Sequence, residues 1–460
     1  MGGCTWWYGE RFLLALLAAL VTLVGARVKL SDHGYDGLVI AISPTLDEAL
    51  GPTLIPAIKE AIQQTSSNLF HGSRRRLHFR KARILLPKTW TNTPVDAGAS
   101  SETFEEAEIR IDVQNKVYKH QPYTKQHMGC GDPGLYIHVT AEYLLDDQQA
   151  SWWGDRGKVL LMEWAKLRWG VFDEIGYHDD KIFPLFYHYK SPEDEHLRLK
   201  PTYCADEEIN GWYLNKMDPK ASCGYNRDGL PDSDCRFLPG AYQTANSSIM
   251  SYPFIRSDSV KEFCDIFNQV SHPHNPHAPT KQNFHCKHQS VWEVMRKHPD
   301  FATDKVFNVG VDVYQNVSFE VVQESAAHYV MVLDYSGSMD DFDRVMKLKR
   351  TAQRWLLHDV AEESSVAIVK FSISSTLVSK LTKIRGKSSR KKLADLIDTN
   401  TGDSTCIGCG LQLAIRELQG KDNPVILLVT DGKENQEPYI NEMLEYLVKN
   451  GIRVVTVAFG

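Results

Sequence analysis

The sequence predicts an α/β protein built in two folded parts. Two observations carry that prediction. Short apolar runs of strand composition alternate with stretches of helical spacing, first over residues 37–87 and again over residues 328–458. Between them, residues 200–300 are rich in Cys, Pro and His with little periodicity, the texture of loops held by disulfides. The chain has 460 residues, 42% hydrophobic and 24% charged, which is ordinary globular composition and enough length for two or three cores.

The first element is a leader. Phe12 to Val24 is an apolar run preceded by Arg11 and followed by Gly25-Ala26-Arg27. It is too short to span a ~30 Å hydrocarbon core comfortably, but it suits a signal peptide, with Val24 and Ala26 as the small residues before the cut. An uncleaved anchor is the alternative. Residues 1–26 are therefore read as a signal peptide and the mature chain as secreted, extracellular or associated with the cell surface. Their loss removes one Glu and one Arg, so the formal net charge of -6 is unchanged. That charge offers no basis for a nucleic-acid partner. No membrane-spanning segment remains after signal removal, so a helical pore is not expected.

Cys4 leaves with the leader. Cys130, Cys204, Cys223, Cys235, Cys264, Cys286, Cys406 and Cys409 remain, an even number that suggests disulfides in an exported chain. Five of them fall between 204 and 286. Cys130 is the candidate to complete that set, with Cys406 and Cys409 in a separate local arrangement. Cys406-x-x-Cys409 stands alone and is weak evidence for zinc. Asn246-Ser-Ser and Asn316-Val-Ser have the form of glycosylation acceptors.

In the first mature part, residues 27–200, Gly37 to Ile42 is a strand, Leu54 to Ile62 a helix and Ala82 to Pro87 a second strand. Residues 91–107 are polar and turn-rich and read as a surface loop. Residues 158–169 are helical in pattern. The Cys-rich stretch 201–303 is taken with the same domain. From 304 to 460, apolar runs at 328–333, 365–371, 424–430 and 451–458 alternate with helix-compatible stretches at 341–359, 388–398, 409–419 and 437–450. That alternation marks a doubly wound parallel sheet, which binds ligands beyond the carboxyl ends of its strands. The chain stops at the end of a strand, where a closing helix would be expected, so this domain reads as incomplete.

Two constellations of residues carry chemistry. The first lies at those strand ends. Asp334-Tyr-Ser336-Gly-Ser338 follows the first strand of the second part, Gly402-Asp-Ser-Thr405 leads into a helix, and Asp431-Gly432 follows another strand. Hard oxygen ligands from separate loops suit Mg²⁺ or Ca²⁺, with a place left for an incoming acidic group. The pattern resembles the metal-ion-dependent adhesion site of von Willebrand factor type A domains. By that resemblance Ser336, Ser338 and Thr405 are direct ligands, and Asp334 and Asp431 hold the ion through water. Such a site binds; it does not catalyse. The bland alternative is a loop kept for folding alone.

The second constellation is Met162-Glu163-Trp-Ala-Lys166, followed by Gly170 and Asp173. In the H-E-x-x-H class of zinc proteases two His at i and i+4 bind metal, and a Glu acts as general base. Glu163, Gly170 and Asp173 occupy the expected places, but Met162 and Lys166 replace both histidines. Asn246-Ser-Ser-Ile-Met250-Ser resembles the methionine turn of metzincins. A thioether is a poor zinc ligand and an ammonium repels the ion, so Zn²⁺ is not expected, catalytic residues are none, and Glu163 and Asp173 are vestigial. Lys166 is expected to pair with one of them. His178, Asp179 and Asp180 as substitute ligands, His272 to His277 as a metal loop, and Arg74-Arg75-Arg76 with Arg80 and Lys81 as a glycan contact are set aside as less favoured.

Together these features resemble the calcium-activated chloride channel regulator (CLCA) family. The stretches that carry the likeness are Gly34 to Ala41, Ile84 to Trp90, Pro122 to Gln126, Leu167 to Glu174 and Asp334 to Met339. The resemblance implies a metzincin-like domain, a Cys-rich segment and a type A domain. It also implies a regulator of calcium-activated chloride conductance whose partner is a membrane chloride channel or a matrix protein offering an acidic side chain. Two competing readings are a self-cleaving zinc protease and a channel proper.

Overall fold

The computed structural model describes residues 28–458, apart from 32–33, 100–101, 178–179, 191–196, 216–217, 219, 228–229, 233, 241–242, 253–254, 256–259, 268–272, 303–315, 325 and 433. The leader, His178, Asp179, His272 and the boundary read near residue 304 lie outside the described residues. The chain divides into two compact units, residues 28–96 with 104–321, and residues 97–103 with 322 onward.

The first unit is organised around a parallel sheet. Strand β1 (Leu38–Ile42) is buried at every position, which is why it reads as a continuous apolar run. It pairs in parallel with β2 (Lys81–Leu86) on one side and β3 (Ile109–Asp112) on the other, and β4 (Ile137–Thr140) continues the parallel order. Tyr123–Thr124 runs antiparallel to β4. Helix α1 (Gly51–Gly72) buries Leu54, Ile58, Ala61, Ile62 and Leu69, a helical stripe that packs on the sheet.

Helix α2 (Arg156–Trp169) starts at Asp155, whose carboxylate accepts the Lys158 N–H at 3.0 Å, and ends at Gly170 in the left-handed region, φ 61°. A Cβ at Gly170 would also come within 2.2 Å of the Asp132 carbonyl oxygen, so glycine is required for space as well as for conformation. Phe186–Lys190 pairs antiparallel with Leu197–Pro201, and within the Cys-rich stretch Gly211–Asn215 pairs antiparallel with Cys235–Pro239. Disulfides join Cys130 to Cys286, Cys204 to Cys264 and Cys223 to Cys235, with Cys130 completing the set.

In the second unit, β5 (His328–Asp334) lies at the centre of a five-stranded sheet. Parallel to it run β6 (Ser365–Phe371) on one side and β8 (Pro424–Thr430) on the other, with β9 (Arg453–Ala458) beyond β8. An antiparallel strand, β7 (Ser375–Lys383), closes the edge beside β6. Alternate residues of β5 face opposite cores. Val330 and Val332 meet α4 (Ile407–Leu418) and α5 (Ile440–Lys449), while Met331 and Leu333 meet α3 (Arg344–Arg354) and the helix Gly386–Ala394. The unit is therefore a sheet covered on both faces and parallel except at β7, an antiparallel edge strand the expected parallel sheet did not include. Elsewhere too the structure departs from the sequence reading: within 91–107, read as loop, Ala97 and Gly98 pair in parallel with Val322 and Gln323.

Candidate functional site

Strands β5 and β8 are parallel and in register, Leu333 opposite Val429, so their terminal loops leave the sheet on the same side. Asp334 is fully buried there. Its Oδ1 accepts the Ser336 N–H at 2.8 Å and its Oδ2 accepts the Thr430 hydroxyl at 2.6 Å. The hydroxyls of Ser336 and Ser338 are 3.1 Å apart. Gly402 N–H donates to the Tyr335 carbonyl at 2.6 Å, drawing the 402–405 loop against the Asp334 loop. Thr405 is tied to the loop after Asp431 by two bonds: its N–H donates to Asn435 Oδ1, and Asn435 N–H donates to its carbonyl, both at 2.9 Å.

Asp431 completes the group. Its side chain is nearly buried, and Arg344 Nη1 lies 3.5 Å from Oδ2 while donating to the Ser338 carbonyl at 3.1 Å. Asp431 Oδ1 is buried and has no hydrogen-bond partner among the described residues. Burial pushes the Asp334 carboxyl above its usual range, and the neighbouring Asp431 charge adds to that rise even though Thr430 and Ser336 work against it. Two carboxylates, one of them with a buried oxygen lacking a partner among the described residues, and the adjacent Ser336 and Ser338 hydroxyls are donors of the kind a hard divalent cation takes. Arg344 and Asn435 escaped the sequence reading; the cue for Arg344 is a base opening a helix just after the acidic run Asp340-Asp341-Phe342-Asp343.

Directly after Thr405, Cys406 and Cys409 are joined to each other, so neither offers a thiolate for zinc.

The helix α2 constellation has a different outcome. Lys166 Nζ lies 2.9 Å from Glu163 Oε1 and 2.6 Å from Asp173 Oδ1, bridging both carboxylates. Glu163 Oε2 accepts the Thr124 hydroxyl at 2.8 Å, and Tyr177 donates its hydroxyl to Asp173 Oδ2. Burial opposes ionisation throughout. At Lys166 the two carboxylates outweigh burial and hold the ammonium charged, at Asp173 the Lys166 charge prevails and lowers the carboxyl, and at Glu163 burial prevails and raises it. The buried Met250 turn touches the next residue, since Met250 O accepts the Glu174 N–H at 2.9 Å.

Other candidates are quickly placed. Glu174, Cys204 and His274 lie within 4.8 Å of one another, but Cys204 is spent in its disulfide. What remains is a buried His274–Glu174 pair at 3.4 Å, so this histidine turns inward where the sequence suggested an exposed loop; His277 is exposed. Arg74 is neutralised by Glu262 and Asp265, and Arg80 by Asp36. Asn316 is exposed, whereas half-buried Asn246 donates its amide to Asp206 at 2.7 Å. Arg168, inside the Leu167–Glu174 stretch, makes a two-pronged pair with Asp300 at 2.8 and 2.7 Å, a partner the sequence did not indicate.

Comparison with known proteins adds two family matches. Residues 28–308 match the family described as calcium-activated chloride channel N terminal, and residues 330–460 match the von Willebrand factor type A domain. The mouse protein calcium-activated chloride channel regulator 3A-1 is 32% identical over 98% of this chain and 49% of its own length. Human calcium-activated chloride channel regulator 2 is 32% identical over 97% of this chain and 46% of its own. The chain thus spans about half the length of the relatives it matches. Among solved structures, a von Willebrand factor type A protein from Catenulispora acidiphila aligns with 30% of this chain and 34% of its own at 20% identity and a TM-score of 0.27. Among the described residues, no helix is long and apolar enough to cross a membrane.

Proposed function

The chain belongs to the calcium-activated chloride channel regulator family, and from that premise we propose that it acts as an exported, non-proteolytic binding protein. Ser336, Ser338 and Thr405 hold a Mg²⁺ or Ca²⁺, with Asp334 and Asp431 as the charged support. When bound, the cation offers a coordination place to an acidic side chain of a chloride channel or matrix protein. Capture of that partner raises calcium-activated chloride conductance without this chain forming the pore. The single observation that supports the reading is the buried Asp431 Oδ1 without a partner, beside a second buried carboxylate. The protease-like cluster is read as degenerate because Lys166 already fills the place between Glu163 and Asp173.

Calorimetric titration of the secreted chain with Mg²⁺ and Ca²⁺ is the direct test. One cation per chain is expected, with affinity lowered about 10–100-fold in Asp431→Ala and Asp334→Ala. The same variants should abolish chelator-sensitive partner capture. Unchanged cation affinity in a folded Asp431→Ala chain would remove the proposal.

A further inference from the structure

Charge in the second unit is segregated along the chain. Residues 344–392 carry thirteen Lys and Arg against three acids, Asp359, Glu362 and Glu363. Two of those acids are used locally, Glu362 by Arg390 at 2.8 Å and Glu363 by Lys383 at 2.5 Å. Lys347, Arg350, Arg354, Lys387, Lys391 and Lys392 are all exposed and form no ion pair among the described residues. Apart from Arg390-Lys391-Lys392 they are scattered along the chain, so their sum is easily missed in a chain of net charge -6.

The fold gathers them. On α3, Val345, Leu348 and Ala352 are buried, which leaves Lys347, Arg350 and Arg354, three and four residues apart, as one solvent stripe. On the helix Gly386–Ala394, Arg390, Leu393 and Ala394 are buried, and Lys387, Lys391 and Lys392 face water. Both helices seal the same face of the sheet. They also meet: Gln353 Nε2 donates to the Ala394 carbonyl at 3.0 Å, and Arg390 Nη1 donates to the Leu356 carbonyl at 3.1 Å. Two basic stripes therefore share one face of the unit. Like charges at such spacing disfavour the helices slightly, and an external polyanion relieves that cost.

We infer that this face binds a sulfated glycosaminoglycan. A linear chain of repeated sulfates and carboxylates matches a two-stripe array of Lys and Arg donors in charge and in extent. A lipid bilayer fits less well, because the apolar sides of both helices are packed against the sheet and cannot insert. The site stands apart from the proposed cation centre, whose residues it does not use.

The test uses the full chain on immobilised heparin at about 0.15 M salt. Retention that weakens with added salt is expected, as counterion release requires. Lys347→Glu/Arg350→Glu/Arg354→Glu and Lys387→Glu/Lys391→Glu/Lys392→Glu should each weaken binding about tenfold or more. Arg75→Glu/Arg76→Glu should leave it unchanged, and so should EDTA. Gln triples at the same positions, with melting curves matching the parent, guard against loss through misfolding. The inference is overturned by absence of retention, by full retention in both folded triple variants, by loss on chelation, or by preference for phosphatidylserine vesicles over heparin.

Discussion

The chain contains two pairs of buried carboxylates that differ in one respect. At Glu163 and Asp173 the counter-charge is built in: Lys166 lies within 3 Å of both. At Asp334 and Asp431 the base Arg344 stands 3.5 Å from one oxygen, and Asp431 Oδ1 is left without a partner. A carboxylate removed from water must be neutralised, hydrogen-bonded or protonated. Where the chain provides the cation itself, both carboxylates are already neutralised. Where it does not, the proposed function assigns the same residue types to holding a cation from solution.

The largest effect should come from exchanging those conditions. Met162→His with Lys166→His removes the built-in cation and places two imidazoles one turn apart on α2, beside Glu163 and Asp173. We expect stoichiometric zinc by mass spectrometry after gel filtration, against none in the parent. A folded, zinc-free variant would mean that helix α2 and Asp173 no longer form a metal cradle.

A smaller effect is expected from Lys166→Met alone, which strands two buried carboxylates. Removing one side of a buried ion pair costs about 3–5 kcal/mol, readable by urea unfolding, and adding Glu163→Gln should recover part of it. The pH dependence has a definite sign. The Lys166 ammonium is held above its ordinary 10.5 by Asp173 and Glu163 against the pull of burial. Its contribution is therefore complete below that value and is lost as pH rises through the higher folded value. The stability gap between parent and Lys166→Met should narrow in strong alkali, where the parent loses its ammonium, and also toward acid, where the two stranded carboxyls of the variant take up protons. A gap that widens toward acid, or that closes on raising the pH from neutral to about 9, would contradict the assignment.

The sequence disclosed these two sites unequally, for physical reasons. Parallel strands buried on both faces, such as Val425–Val429 and Leu38–Ile42, read as unbroken apolar runs, and ligands that follow them directly are found by counting. Asp334, Ser336, Ser338 and Asp431 were legible as candidates in that way, as was Lys166 at a place where the H-E-x-x-H pattern has a histidine. Half-exposed strands were not. Ile109–Asp112 and Ser375–Lys383 alternate with Arg, Asp, Ser and Lys, and their pairing depends on neighbours far along the chain. Asp300, Asn435 and Arg344 were missed because side-chain partners at long sequence separation leave no periodic signal.

The smallest predicted effect concerns Arg344, the one base among the described residues that contacts the Asp334–Asp431 group. Its Nη1 spans the Ser338 carbonyl and Asp431 Oδ2, so it can act in two opposed ways. As a competitor, it offers Asp431 a charge that an incoming cation must outbid. As a brace, it holds the Ser338 loop in place. Coulomb repulsion between unit charges about 4 Å apart is worth ~1 kcal/mol when water screens it, close to fivefold in affinity. Because Asp431 Oδ1 is untouched by Arg344 and the 3.5 Å contact is long, the competitor role should prevail. Arg344→Gln is therefore expected to tighten Mg²⁺ binding about fivefold with little change in melting temperature. Weaker binding in a folded variant would assign Arg344 to the brace, and would mean that the closed and the receptive carboxylate sites both rely on an internal base, differing only in how closely it approaches.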